Sequence, residues 1–104
     1  MTPTELQARL GEGSTPRLLD VRQPEEHAIV ALANSMLIPL GELFSRVDEI
    51  EDWREEEVVV YCHHGIRSAQ AVAQLRALGF TNVHNLAGGI DRWTIEVNPT
   101  LPRY

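Results

Sequence analysis

Apolar residues recur along the chain in two rhythms, and their alternation predicts the architecture. Leu6 and Leu10 share one face of a helix that starts at Thr2-Pro3-Thr4-Glu5. There Thr2 is the N-cap, Pro3 takes the first helical position and Glu5 closes a capping box. Gly11 is a natural stop, and Gly11 to Pro16 reads as a loop. Leu18-Leu19-Asp20-Val21 predicts a short strand interrupted by one acid. Pro24 to Ile29 predicts a turn of helix, with Glu25 and Glu26 in solvent, and Met36-Leu37-Ile38-Pro39 a brief strand stopped by proline. Leu40, Leu43, Phe44, Val47 and Ile50 then follow a helical stripe.

The second half repeats the alternation more strongly. Val58-Val59-Val60-Tyr61 is an unbroken run rich in β-branched residues, the mark of a central strand buried on both faces. An alanine-rich helix is expected over Arg67 to Leu78, ended by Gly79, and a strand over Phe80 to Leu86. Gly88-Gly89 turns into a last helix from Ile90 to about Val97, followed by an extended tail, Asn98 to Tyr104. Strands alternating with helices point to a parallel sheet covered on both faces.

Composition narrows the chemistry. A length of 104 residues fits one domain, 1–104. The formal charge is −6, which argues against a nucleic-acid or anionic-membrane surface. All nine cationic residues are arginines, so Schiff-base chemistry and a Walker-type lysine are excluded. Seven acids crowd into Asp48 to Glu57, a solvated connection that flanks the most aggregation-prone strand with like charges. One cysteine makes neither an internal disulfide nor a thiol-rich metal site. The first residues carry no signal-peptide pattern and no apolar run has membrane-spanning length, so a cytoplasmic protein is expected.

The chemically loaded stretch is Cys62-His63-His64-Gly65-Ile66-Arg67-Ser68. It carries a thiol off the end of the most buried strand, through a tight loop, into a helix N-terminus. Loop N–H groups and the positive helix end favour a thiolate, and the thiolate is the nucleophile. Flanked by two histidines and a nearby glycine, Cys62 is not expected to be a mere core filler. Ser68 is read either as a donor to the sulfur or as a helix cap. Arg67 is expected to bridge loop carbonyls or an acid, or to balance an anionic ligand. Asp20 beside Arg22 is either a strand-end turn residue or a brace for the loop. His63 and His64 are adjacent, which suits chelation of one ion poorly, and no metal or cofactor is expected. As groups that titrate near neutrality they are candidates to contact an anionic donor. Gly88-Gly89 lacks the third glycine of a nucleotide fingerprint and reads as a tight turn.

Asp20-Val21-Arg22, Cys62-His63-His64-Gly65-Ile66-Arg67-Ser68-Ala69 and Leu86-Ala87-Gly88-Gly89-Ile90-Asp91-Arg92-Trp93 together resemble a single-domain rhodanese over nearly the whole chain. The resemblance implies an α/β, rhodanese-like fold: a five-stranded, mainly parallel sheet flanked by helices on both faces. It implies a sulfurtransferase in which Cys62 takes sulfur from a small anionic donor such as thiosulfate and passes it, as a persulfide, to cyanide, a thiol or an acceptor protein. His63, His64, Gly65, Ile66, Arg67 and Ser68 would form the substrate-binding loop, with Asp20 and Arg22 in support. Two features depart from the family pattern. Val30 to Met36 lacks the usual Pro-Gly turn, and histidines rather than a permanent cation follow the cysteine. The C-terminal part is similar to the rhodanese domain of adenylyltransferase/sulfurtransferase proteins.

Two alternatives are weighed against this reading. Phosphatases and arsenate reductases of similar layout use a longer loop with five residues between cysteine and arginine; here four intervene between Cys62 and Arg67. The other alternative is a non-catalytic persulfide-carrier or protein-binding module that presents Cys62 to a partner.

Overall fold

The computed structural model describes residues 1–13 and 15–104, so the expected loop from Gly11 to Pro16 lies partly outside the described residues at Ser14. Four strands, β1 (Arg17–Asp20), β2 (Met36–Leu37), β3 (Val58–Tyr61) and β4 (Val83–Asn85), form one parallel sheet in the order β2-β1-β3-β4. Five helices, α1 (Pro3–Gly11), α2 (Pro24–Ile29), α3 (Leu43–Arg46), α4 (Ile66–Ala77) and α5 (Gly89–Glu96), surround it. None is long and apolar enough to cross a membrane.

Strand alternation sorts side chains between two apolar clusters. Leu19, Val21, Val58, Val60 and Cys62 face one way and meet Leu43, Ile50, Ala71 and Leu75. Leu18, Val59 and Tyr61 face the other way and meet Leu6, Leu86, Ile90 and Trp93. All four residues of β3 are buried, as a central strand requires. The expected capping box is present on α1, where Thr2 accepts from the Glu5 backbone N–H and the Glu5 carboxylate accepts from that of Thr2.

The strand count corrects the expectation of five. Pro3 and the capping box start α1 at residue 3, which leaves Met1 alone in extended contact with the outer edge of β4. Its amino group donates to Asn85 O at 3.0 Å and its carbonyl accepts from Ala87 N at 2.8 Å. A single residue thus supplies the two bonds of a parallel pairing where a fifth strand would lie.

The stripe from Leu40 also folds differently from one regular helix. It splits into a 3-10 turn at Leu40–Glu42, the short α3, and a 3-10 stretch at Val47–Trp53 kinked at Ile50. At three residues per turn, positions three apart stay on one face. Leu40 and Leu43, and then Val47, Ile50 and Trp53, reach the core in this way, with the α-helical turn between them carrying Leu43 to Val47, and Phe44 turns outward, 64% exposed.

Crossovers from β1 and β3 leave the sheet in opposite directions, toward β2 and β4. The C-terminal ends of these two adjacent strands flank a topological switch point, the position where open α/β sheets form their sites. Asp20 pairs in register with Tyr61, so where the two strands end Val21 lies beside Cys62 and Arg22 beside His63.

Candidate active site

Cys62 leaves β3 and the chain turns at once into α4. The turn depends on Gly65, whose φ of +105° lies in the region that favours glycine, and which serves as the helix N-cap. This bend aims backbone donors at the sulfur. Gly65 N–H reaches Cys62 Sγ at 3.0 Å and Ser68 N–H at 3.4 Å, and Ser68 Oγ lies 3.3 Å away. Ser68 is therefore not the cap; it sits in the first turn of α4, fully buried. Burial pushes the Cys62 thiol up, but the Ser68 hydroxyl and the N–H groups of Ser68, Gly65 and Arg67 outweigh it and hold the thiol below its ordinary value. The cysteine itself is 1% exposed, so the cradle closes tightly round the sulfur.

The loop is braced from a second side by α5. Ile90 N–H donates to Cys62 O at 2.9 Å and Asp91 N–H to His63 O at 3.1 Å. A Cβ on Gly89 would lie 2.3 Å from His63 O and 2.6 Å from Cys62 O, so the helix start packs directly on the loop backbone. Sequence reading took Gly88-Gly89 as a turn alone. The brace becomes visible only when the two loops are set face to face.

Arg67 places its backbone, but not its charge, at the sulfur. Its guanidinium makes a two-pronged pair with Glu26 of α2, Nη1 to Oε1 at 2.6 Å and Nη2 to Oε2 at 2.9 Å. This corrects the expectation that Glu26 is solvated. Arg67 holds its carboxyl well down, to about 2, against the opposing push of burial. The reason is positional: Glu26 closes the capping box of α2 with Gln23, which turns its side chain back toward the cysteine loop. Glu26 Oε2 also accepts from the Tyr104 hydroxyl at 2.6 Å, and that hydroxyl accepts from Arg22 Nη1 at 2.8 Å. The C-terminal tail thus ends on the site instead of running free.

Asp20 and Arg22 form a brace, not a surface turn. Both are fully buried. Arg22 Nε and Nη2 donate to the two carboxylate oxygens of Asp20 at 2.9 and 2.8 Å, and Nη2 also donates to Val30 O at 2.6 Å. His27 Nδ1 lies 2.8 Å from Asp20 Oδ2. The segment from Val30, which lacks the expected Pro-Gly, is tied down by this arginine.

His63 and His64 stand away from the sulfur contacts. His63 is stacked between Tyr104 and His64, each ring pair 3.9 Å apart. Burial, and then the neighbouring His64, push its imidazole down, so it favours the neutral form. Asp91 joins them: donor atoms of His63, His64 and Asp91 lie within 4.8 Å of one another, the one such group among the described residues. Sequence reading judged the two adjacent histidines by themselves and missed Asp91. That carboxylate is already engaged by Arg103, with Nε to Oδ1 at 2.9 Å. Ile66, at the loop tip, is 74% exposed.

Asn85, at the end of β4, was also missed. Its Nδ2 donates to Gly65 O at 3.1 Å and its Oδ1 accepts from Ser68 Oγ at 2.5 Å. A lone asparagine in a strand carries no signal in sequence; only its position immediately before Leu86-Ala87-Gly88-Gly89 hints that it ends beside the site.

Comparison with known proteins agrees with the geometry. Residues 2–96 match the family model of the rhodanese-like domain. The probable adenylyltransferase/sulfurtransferase MoeZ of Mycobacterium tuberculosis is 35% identical over 104 residues, covering 100% of this chain and 26% of that protein. The chain spans a similarly small part, 24%, of the adenylyltransferase and sulfurtransferase uba4 of Ogataea parapolymorpha. Among solved structures, a rhodanese-related protein from Thermoplasma volcanium superposes with a TM-score of 0.84 at 35% identity, covering 95% of this chain and 93% of that one. The human single-domain sulfurtransferase TSTD1 superposes at 0.82 with 30% identity, covering 92% and 95%.

Proposed function

The chain belongs to the rhodanese-like family, and from that premise we propose that it is a sulfurtransferase whose Cys62 carries sulfur as a persulfide. In the first step the Cys62 thiolate attacks the outer sulfur of a donor. A new S–S bond forms at Cys62, the donor's own S–S bond breaks, and the leaving group departs with the electron pair; from thiosulfate that group is sulfite. In the second step a thiolate or cyanide attacks the terminal sulfur, and Cys62 leaves as thiolate. The observation that carries this reading is the convergence of the Gly65 and Ser68 N–H groups on Cys62 Sγ. These donors stabilise negative charge on sulfur without reorganising during the reaction. The span of four residues between Cys62 and Arg67 supports a cradle of sulfur size in preference to one for a tetrahedral oxyanion.

Donor choice follows from the charges. Arg67 is paired with Glu26, and His63 favours the neutral form, so the loop offers a dianion such as thiosulfate no free guanidinium. A thiol-borne persulfide needs only the sulfur cradle, and we infer that it is the better donor. The acceptor is then a thiol or a sulfur-acceptor protein, as the names of the longer relatives suggest. The tight burial of Cys62 favours a second reading, in which the domain takes up one sulfur and releases it only to a docked partner.

Mass spectrometry after incubation with a small persulfide or with thiosulfate tests the proposal: the chain gains one sulfur, about 32 Da, on Cys62, and Cys62→Ser does not. Absence of the adduct with every donor refutes it. Repeated turnover with a small thiol acceptor distinguishes the enzyme from the single-turnover carrier.

A further inference from the structure

The hydroxyl of Ser68 has one proton and two neighbours that want it. Cys62 Sγ lies 3.3 Å from Ser68 Oγ on one side, and Asn85 Oδ1 lies 2.5 Å from it on the other. The orientation of the Asn85 amide is not free. Gly65 O, 3.1 Å from Asn85 Nδ2, can only accept, so the amide nitrogen must face it and the amide oxygen must face Ser68. An amide oxygen also only accepts. The Ser68 proton therefore points at Asn85, and Ser68 presents a lone pair to the sulfur. That arrangement suits the thiol, whose S–H donates to Ser68 Oγ in an unbroken relay, S–H to O–H to the amide oxygen. It does not suit the thiolate, which would face a lone pair.

We infer that Asn85 is a positioning residue that competes with the Cys62 sulfur for the single Ser68 proton and so sets how readily Cys62 ionises. To stabilise the thiolate, the Ser68 hydroxyl must rotate away from Asn85 and leave its amide oxygen without that donor. A polar group left unmade in a partly buried site costs part of what the new bond gains, so the Ser68 hydroxyl lowers the thiol by less in the native protein than it would with the Asn85 amide removed. Removing the amide oxygen frees the hydroxyl for sulfur. Asn85 thereby damps a nucleophile that the backbone N–H groups alone would make more reactive. The same amide steadies the Gly65 carbonyl, so its two bonds hold the loop's shape and restrain its thiolate at once. This inference rests on the reading of Cys62 as the sulfur-carrying nucleophile.

The sole cysteine makes the test direct, because every alkylation event reports Cys62. The rate of alkylation by iodoacetamide and the ultraviolet absorbance of the thiolate are followed against pH in wild type, Asn85→Ala, Ser68→Ala and the double variant. The other charged groups round the loop are unchanged in all four: Arg67 on α4 with Glu26 on α2, Asp20 and Arg22 after β1, His63 and His64 in the loop, and Asp91 on α5. Asn85→Ala is expected to lower the thiol midpoint by about one unit, which gives roughly tenfold more thiolate and a several-fold faster alkylation below the midpoint, but only where Ser68 is present. Loss of the Gly65 contact acts in both backgrounds and cancels in the comparison. Ser68→Ala alone is expected to raise the midpoint, but by less than Asn85→Ala lowers it. An equal shift in both backgrounds, no downward shift with Ser68 present, or a rise of a unit or more in Ser68→Ala overturns the inference. The last measurement stands even if Asn85→Ala does not fold. A wild-type chain that forms no persulfide counts against the sulfurtransferase reading, and leaves the comparison among variants to decide the role of Asn85.

Discussion

Asp20→Asn is the sharpest probe of how the site is supported. The substitution keeps the shape of the side chain and removes its charge. In the native protein Asp20 Oδ1 accepts from Arg22 N and Nε at 3.0 and 2.9 Å, while Oδ2 accepts from Arg22 Nη2 and faces His27 Nδ1, both at 2.8 Å. An amide retains one of these oxygens. In place of the other it puts an NH2 group, a donor, against a guanidinium N–H. Arg22 cannot relax into water, since neither partner has any exposed surface. Breaking one side of a buried ion pair costs about 3–5 kcal/mol, because the remaining charge stays desolvated. A domain of this size has about 5–15 kcal/mol of stability in all, so the loss is a large share of it. Urea unfolding followed by tryptophan fluorescence measures the effect. With a slope near 1.5 kcal/mol/M, the midpoint falls by about 2–3 M at unchanged slope. Arg46→Ala is the control, since its pairs with Glu42 and Glu49 are exposed and screened by solvent and its loss should leave the midpoint nearly unchanged. A loss below about 1 kcal/mol in Asp20→Asn would mean that Tyr104 and Val30 O carry Arg22 without the carboxylate, and the reasoning would fail.

Gly89→Ala is expected to cost about 2–4 kcal/mol and to slow persulfide formation on Cys62, because its Cβ collides with rigid loop backbone at a φ of +64°. Gly88→Ala, whose nearest neighbour atoms belong to Arg92, with the fixed Cβ at 2.6 Å, and not to the cysteine loop, should also destabilise the fold but slow persulfide formation less; equal slowing by the two variants would remove Gly89 as the brace. Glu26 contributes stability at neutral pH, since its folded carboxyl lies at about 2, below the ordinary 4.5. That contribution is complete above the ordinary value and is lost as pH falls from 4.5 to about 2. Screening at the partly exposed pair limits it to about 1–2 kcal/mol. Urea titrations of wild type and Glu26→Gln should therefore converge in that acid window, and a difference independent of pH would refute the assignment.

What the sequence revealed was local, and what it hid was made by distant contacts. The capping box at Thr2–Glu5, the central strand at Val58–Tyr61 and the helix at Pro24–Ile29 follow from neighbours in the chain, and each lies where the pattern puts it. Cys62 with its loop was legible for the same reason: strand, glycine and helix start are contiguous. Glu26, Asn85 and Tyr104 were not, because their partners lie 41, 17 and 78 residues away. A glutamate in a first helical turn reads as solvated wherever nothing in its own segment asks for it. The stripe from Leu40 misled for a subtler reason. An i, i+3 spacing fits a helix of either 3.6 or 3.0 residues per turn, so Leu40 with Leu43 and Val47 with Ile50 do not tell the two apart; Phe44, outside that spacing, ends facing outward.

The partners that sequence could not supply also explain how an acidic chain can carry an anionic sulfur. With a net charge of −6, the domain would repel a thiolate if it relied on overall field. It relies instead on fixed dipoles at short range. The N-terminus of α4 supplies the N–H groups of Gly65 and Ser68 to the sulfur, and the N-terminus of α5 ties the carbonyls of Cys62 and His63 back, away from it. Both helices thus aim their positive ends at one four-residue loop, one acting on the Cys62 sulfur and the other on the backbone that would oppose its charge. The permanent cations are spent on acids: Arg22 on Asp20, Arg67 on Glu26, Arg103 on Asp91. Such a site is insensitive to salt at its sulfur, where no free charge acts, but sensitive to any change in loop geometry. On this account, alkylation of Cys62 should change little between low and high ionic strength, whereas moving Gly65, Gly89 or Asn85 by a single substitution should alter it several-fold.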